Sequence, residues 1–496
     1  MDKMRIGLLS FILLFIVSAT CRQTGSTETL KRENRFTRFF NSQSIKEALR
    51  TLVAVCLVLL LTCCSRESAS LRYALRQAGD NRSELEAVLA HYSDDSEKLA
   101  AARYLIANLP AHYSYAGDSI YEYYDYAARI LSDTLLTPEQ QRDTLLYVSD
   151  RDFPNVATQT IPDACIITAD YLIKNIDMAY AQWKTCPWAR QLTFDEFCEW
   201  LLPYKIKELQ SLDSWRDTLQ THFSFALENM IPDDDEYLTT RKTAEIVRNA
   251  INSKVLRHGL YTRSGHPLLS AGLFPYYTFG DIPDYVRLGA LTYRSLGIPA
   301  IIDETPVGSR DVAAVSWFTI LSDRGEEVPS PWDISSYPGM GFFPEERGPK
   351  VYRNTYAINP ERLKYQKKAK YKYPFDLGKK DVTDRYFLTS DIELPINKDN
   401  IKNLKDRYVY IASATINDSL RDWKIVDFGR IKHRRACFDK MGREVLYLVY
   451  GYDGTDLVPI TSPFILHKDS HIEYVNADTV NSVSLDRWRN KTIINQ

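Results

Sequence analysis

The stretch from Gly280 to Ala300 limits the fold of this chain more than any other. Pro283 suits the first turn of a helix, where its missing N–H has no partner to lose. Asp284 to Leu296 then reads as a helix, and Gly297 stops it. Ile298 to Asp303 reads as a buried strand, and Val312 to Leu321 as a second. A turn at Asp323-Arg324-Gly325 follows, and Glu327 to Asp333 gives a third strand. Helix, strand, turn and strand in this order predict a helix packed on an antiparallel sheet.

The flanks differ in pattern. Residues 65–255 are predicted mostly helical. Asp94-x-x-Glu97 resembles an N-terminal cap, and Leu99, Ala102, Leu105, Ile106 and Leu109 then recur at helical spacing until Pro110. Ser119 to Leu136, Phe194 to Leu202 and Thr240 to Ile251 give further helices. Residues 363–380 hold seven lysines. They are expected to form a solvated linker, with a basic patch for anionic sugar or lipid phosphate as the alternative. Residues 381–496 contain short apolar or alternating runs: Tyr408 to Ala412, Trp423 to Phe428, Glu444 to Tyr450 and Leu457 to Ile460. With a turn at Asp453-Gly454, these predict a β-sandwich. The expected order is therefore a leader region at 1–64, a helical domain at 65–255, a core at 256–362, a linker at 363–380 and a sandwich at 381–496.

With 62 basic and 64 acidic side chains among 496 residues, the net charge of −2 gives no case for nucleic-acid binding. The N-terminus stands apart. Ile6 to Ala19 is apolar behind Lys3 and Arg5, with Cys21 following. Leu52 to Thr62 is apolar behind Arg50 and ends in Cys63-Cys64-Ser65. Both have the layout of an export signal, and neither reaches the length of a membrane span. Leu61-Thr62-Cys63-Cys64 resembles a bacterial lipobox, which makes Cys64 the expected lipid attachment site and the bilayer an expected partner. The expected location is the bacterial cell envelope, as a lipoprotein of the outer membrane or facing the periplasm. Cys165, Cys186, Cys198 and Cys437 match no zinc spacing, so no metal and no other cofactor is expected. Cys186 and Cys198 are read either as a disulfide or as buried thiols.

The segment ending Leu296-Gly297-Ile298-Pro299 resembles the transglutaminase-like family, with a papain-type fold. In that family a Cys opens the helix, where the positive end of the helix dipole favours a thiolate. A His on the next strand pairs with it, and an Asp on a third strand orients the His. Counting back from Gly297, the Cys position falls on Ile282. The acidic residue after it matches Asp284, and the helix-end Arg matches Arg294. Asp303-Glu304-Thr305-Pro306 resembles the strand exit. The His-x-Trp motif falls on Val315-Ser316-Trp317, and the final Asp on Asp333 after Trp332. The resemblance thus implies a degenerate triad of Ile282, Val315 and Asp333. Ile and Val can supply neither a nucleophile nor a proton acceptor. A binding cleft marked by Asp284, Trp317 and Trp332 would remain, open to a peptide or glycan. The flanks resemble lipid-anchored proteins of Bacteroidetes type, with helices before the core and a sandwich after it. The alternative is an active cysteine-type transglutaminase, protease or amidase. It would draw its thiol from Cys165, Cys186 or Cys198 and its imidazole from His258 or His266.

Overall fold

Helices dominate the first half because caps and apolar faces are placed at regular intervals. The computed structural model describes residues 68–154, 156, 159–228, 240–254, 270–276, 282–307, 315–330, 347–417 and 420–475. Its elements all belong to one compact unit, residues 69–496. The chain opens with α1 (Ala69–Gln77), α2 (Arg82–His91) and α3 (Ser96–Asn108). Asp95, not Asp94, caps α3, accepting from the N–H groups of Glu97 and Lys98. A short hairpin of β1 (Tyr113–Tyr115) and β2 (Thr160–Pro162) encloses α4 (Asp118–Leu131) and α5 (Pro138–Asp152). Next come α6 (Ala169–Thr185), α7 (Phe194–Trp200), α8 (Trp215–Phe223), α9 (Phe225–Glu228) and α10 (Thr240–Lys254). Thr193 and Glu196 close a capping box at the start of α7. Among the described residues no helix is long and apolar enough to cross a membrane.

The central helix α11 (Ile282–Ser295) lies on a five-stranded antiparallel sheet. Its strands are β3 (Ala300–Thr305), β4 (Val315–Leu321), β5 (Glu327–Ser330), β6 (Tyr352–Asn354) and β7 (Lys379–Asp381), in the order β5-β4-β3-β6-β7. Helix and sheet approach closely because Gly289 has no side chain. A Cβ there would stand 2.8 Å from the Phe318 ring, which also meets Tyr293 edge-on. Gly297 ends the helix at φ +80°, and Cys186 packs so tightly under it that a Cβ would meet Sγ at 2.8 Å. The helices, α11 and the inner strands share one continuous apolar core.

Two expectations need correction here. The stretch at 363–380 is not a solvated linker. Residues 360–368 form α12 (Pro360–Lys368), capped by Asn359, and β7 is the edge strand of the central sheet. Between them Tyr371, Tyr373 and Phe375 alternate with exposed Lys370 and Lys372, so the rings face inward while the lysines face water. The rings, with Tyr365 of α12, cover Tyr408, Tyr410 and Phe428 of the sheet that follows, and Tyr365 stacks on Phe428 at 4.4 Å. The expected sandwich is a single eight-stranded antiparallel sheet rather than two facing sheets. It is built from β8 (Thr389–Pro395), β9 (Tyr408–Asn417), β10 (Leu420–Lys432), β11 (Arg435–Gly442), β12 (Val445–Tyr452), β13 (Leu457–Pro459), β14 (Phe464–Leu466) and β15 (Ile472–Tyr474). A helix, α13 (Lys398–Asn403), joins its first two strands. One face, with Val409, Ile411 and Val449, forms an apolar core; the other carries the aromatic cluster. The fold is therefore mixed, with helices packed around antiparallel sheets.

Candidate functional site

The structure opens α11 at Ile282, the residue matched to the nucleophile, and opens β4 at Val315, the residue matched to the base. Asp284 lies in the first turn and pairs with Arg287 Nη2 at 3.0 Å. Arg287 is buried over the Phe274 ring, and its Nε and Nη1 have no hydrogen-bond partner among the described residues. Asp333 and Trp332 lie outside the described residues, as do Cys64, His258 and His266.

Trp317, expected at the cleft, is packed among side chains of the described residues. It is 2% exposed and packs with Val351 and Val382 in a small separate core, where Nε1 donates to the Tyr386 hydroxyl at 3.1 Å. Its neighbour Phe318 is the residue turned toward α11. Residues alternate faces along a strand, so consecutive positions cannot both serve the helix side.

Beside Trp317 lies a charged cluster that the sequence did not reveal. Asp303 is fully buried and accepts from Arg353 Nε and Nη2, both at 2.8 Å. It also accepts from Thr319 Oγ1 at 3.0 Å and from the Tyr386 hydroxyl. Arg353 reaches on to Glu327 at 2.7 and 3.1 Å. Burial opposes charge on Arg353 and Glu327, but Asp303 first and then Glu327 hold the guanidinium above its ordinary value, and Arg353 holds the Glu327 carboxyl below its own. Burial, then Asp303, pushes the Tyr386 phenol up. Every member is committed to a partner, so the cluster fixes geometry and leaves no proton acceptor for chemistry.

Cys186 and Cys198 are disfavoured as thiolates. Cys186 and Cys198 are both free rather than paired. Burial pushes both thiols up, and Asp195 and Glu199 push Cys198 further. His112 is occupied at both ring nitrogens, by Glu208 at 2.7 Å and the Tyr356 carbonyl at 2.9 Å. Among the described residues no group of three or more His, Cys, Asp or Glu side chains is arranged to hold a metal.

A further opening lies elsewhere. A groove of about 390 Å³ lies between α12, β10 and β11. The two strands pair only through Arg430–Lys432 and Arg435–Cys437, and beyond that they part. A register shift between Ile425 and Asp427 turns β10 at this place. Lys350, fully buried, fills the base of the gap with Nζ bonded to Asp427 at 2.9 Å, to the Asp439 carbonyl at 2.6 Å and to Asp381. The walls carry Arg362, Lys364, Arg430, Lys432, Glu361 and Asp439, with Glu361 paired to Arg430 at 2.7 Å and to Lys364 at 3.7 Å. Sequence reasoning missed this site, although the alternation of lysine with aromatic residues after α12 signalled a packed strip.

Compared with protein-family models, curated proteins and solved structures, the chain finds no match in any of the three.

Proposed function

We propose that this chain is a non-catalytic, transglutaminase-like lipoprotein of the bacterial cell envelope that binds or scaffolds a peptide or glycan. One observation carries the reading: the first residue of α11 is Ile282 and the first residue of β4 is Val315. A papain-type enzyme would need its thiol and imidazole at those two positions, and neither residue type can move a proton or attack a carbonyl. Losing one triad member already lowers turnover by orders of magnitude, and here two are hydrocarbon. The helix on an antiparallel sheet and the helical region before it support the resemblance. In this reading Cys64 carries the lipid that tethers the chain to the membrane.

The runner-up is a cysteine enzyme with displaced residues. The burial of Cys186 and Cys198 weighs against it, because desolvation disfavours the thiolate that such an enzyme requires. The test is to assay the full chain for amide hydrolysis and for glutamine–lysine crosslinking, with and without iodoacetamide. The expected result is no activity above the uncatalysed rate. An iodoacetamide-sensitive activity overturns the proposal.

A further inference from the structure

We propose that the groove between α12 and the parted strands β10 and β11 binds a carboxylate-bearing sugar of a glycan chain, with the carboxylate on Arg362. This inference stands independently of the proposed function above. Arg362 is 5% exposed and lines the groove. Its guanidinium lies over the Tyr352 ring at 4.5 Å and near the Phe375 ring at 5.4 Å. It makes one hydrogen bond, from Nη1 to the Asp376 carbonyl at 3.3 Å, and no ion pair among the described residues. Its charge also acts on the Asp376 carboxylate, and an incoming anion would add a second partner. Two rings hold it flat and leave N–H donors for a bidentate partner.

The rest of the lining selects a sugar over other anions. Lys364, 3.7 Å from Glu361, and Lys432, which makes no ion pair among the described residues, stand at the rim. Yet Glu361, Asp427 and Asp439 also line the groove. Glu361 is paired with Arg430 and Asp427 with Lys350, each at 2.7–2.9 Å, so much of the positive charge is already spent and a densely charged phosphate or sulfate polymer would gain little over a single carboxylate. An acidic sugar places one carboxylate on Arg362 and offers hydroxyl donors to the carboxylates, while Phe428 and Phe438 supply apolar surface for its C–H face. The volume of about 390 Å³ suits a short oligosaccharide. The exposed Lys367, Lys368, Lys370 and Lys372 continue the positive surface along the same segment, for a chain that extends past the groove.

The experiment is titration calorimetry of the full chain with trigalacturonate, cellotriose and triglutamate. Trigalacturonate is expected to bind, and the neutral sugar and the acidic peptide to bind about tenfold more weakly or not at all. Arg362→Met should weaken trigalacturonate binding about tenfold or more. Because Arg362 is packed, the rim pair of half-buried Lys364→Glu and exposed Lys432→Glu gives a second reading in a variant expected to fold normally, again with a loss of about tenfold. The control Lys398→Glu/Lys402→Glu on α13 should bind as the parent does. Absence of trigalacturonate binding, equal affinity for cellotriose or triglutamate, or unchanged affinity in the rim variant overturns the proposal.

Discussion

The seam that joins the helical layer to α11 and the seam that joins the two sheets both bury cations, but they satisfy them differently. In the helical seam, Arg216 donates to Asn175 Oδ1 at 3.1 Å and to the carbonyls of Arg294, Leu201 and Pro203. Arg294 donates in turn to the carbonyls of Ala300, Lys205 and Glu199. Burial, helped by their mutual repulsion, pulls Arg216 down to about 9, and burial pulls Arg294 down to about 10, so both remain charged at neutral pH. In the sheet seam, Lys350 stands between Asp381 and Asp427, and these carboxylates outweigh burial to hold it above its ordinary value. The difference teaches that a buried charge can be met by neutral dipoles, which suits loop ends rich in carbonyls, or by opposite charge, which suits two strands that must be held in one register. The first kind depends little on salt or pH, and the second on both ionisation states.

The sharpest way to break this contrast is Lys350→Met. It leaves two aspartates facing each other over a hydrocarbon, and should cost about 3–5 kcal/mol in urea unfolding. Limited proteolysis should then release residues 389–475 as a fragment before the helical region is cut; simultaneous loss of both regions would show that the seams are not separable. The parent seam also has an alkaline limit. With the Lys350 pKa raised on folding, its contribution is present below the ordinary lysine value of 10.5 and is lost as pH climbs through the higher folded value. The variant should lack that phase.

Arg216→Met tests the other seam. It strands several buried carbonyls and should cost about 3 kcal/mol, equally at pH 5.5 and pH 7, both well below the Arg216 value of about 9. A pH-dependent loss would mean that an unrecognised carboxylate shares the network. The smallest effect concerns the rim of the helical seam, where Glu208 meets His112 and Lys205, and Glu304 meets Lys379. Burial alone would raise both carboxyls, but these cations hold each at about 2, against an ordinary 4.5. Folded values below the unfolded ones mean stability that is full above pH 4.5 and drains as pH falls toward 2. Both carboxylates are partly solvated, so Glu208→Gln or Glu304→Gln should remove only about 1–2 kcal/mol of acid-dependent stability each. Unfolding curves recorded between pH 2 and pH 5 would measure it.

Local signals carried the centre of the fold. Pro283 and Gly297 bracket α11 because one suits a first turn and the other a left-handed exit, and both effects act within a few residues. The Asp453-Gly454 turn is likewise local, with Gly454 at φ +115°. The number of sheets was not legible, because it depends on β9 pairing with β12 across the intervening hairpin, a choice that short strands do not encode. The strip at 369–375 was misread because lysine count dominated over the period-two rings between the lysines. The burial of Trp317 away from α11 turns on which face of β4 it occupies, and only the pairing of Asp303 with Trp317 and Ile302 with Phe318 fixes that. Arg362 is polar in sequence and buried in space, and no pattern announces such a residue.

The return of the chain as β7 has a consequence for synthesis. After β6 the polypeptide leaves the central sheet for some twenty-four residues, lays down α12 and the ring-bearing strip, and comes back to supply the outermost strand at Lys379–Asp381. A nascent chain that has emerged only as far as residue 362 exposes β6 as a raw hydrogen-bonding edge, open to any other extended segment nearby. The central helix-and-sheet portion is therefore not a portable cassette: recombination or truncation that cuts between α12 and β7 would yield a product prone to aggregate, and natural or engineered shuffling must carry the chain through Asp381 to keep it from aggregating.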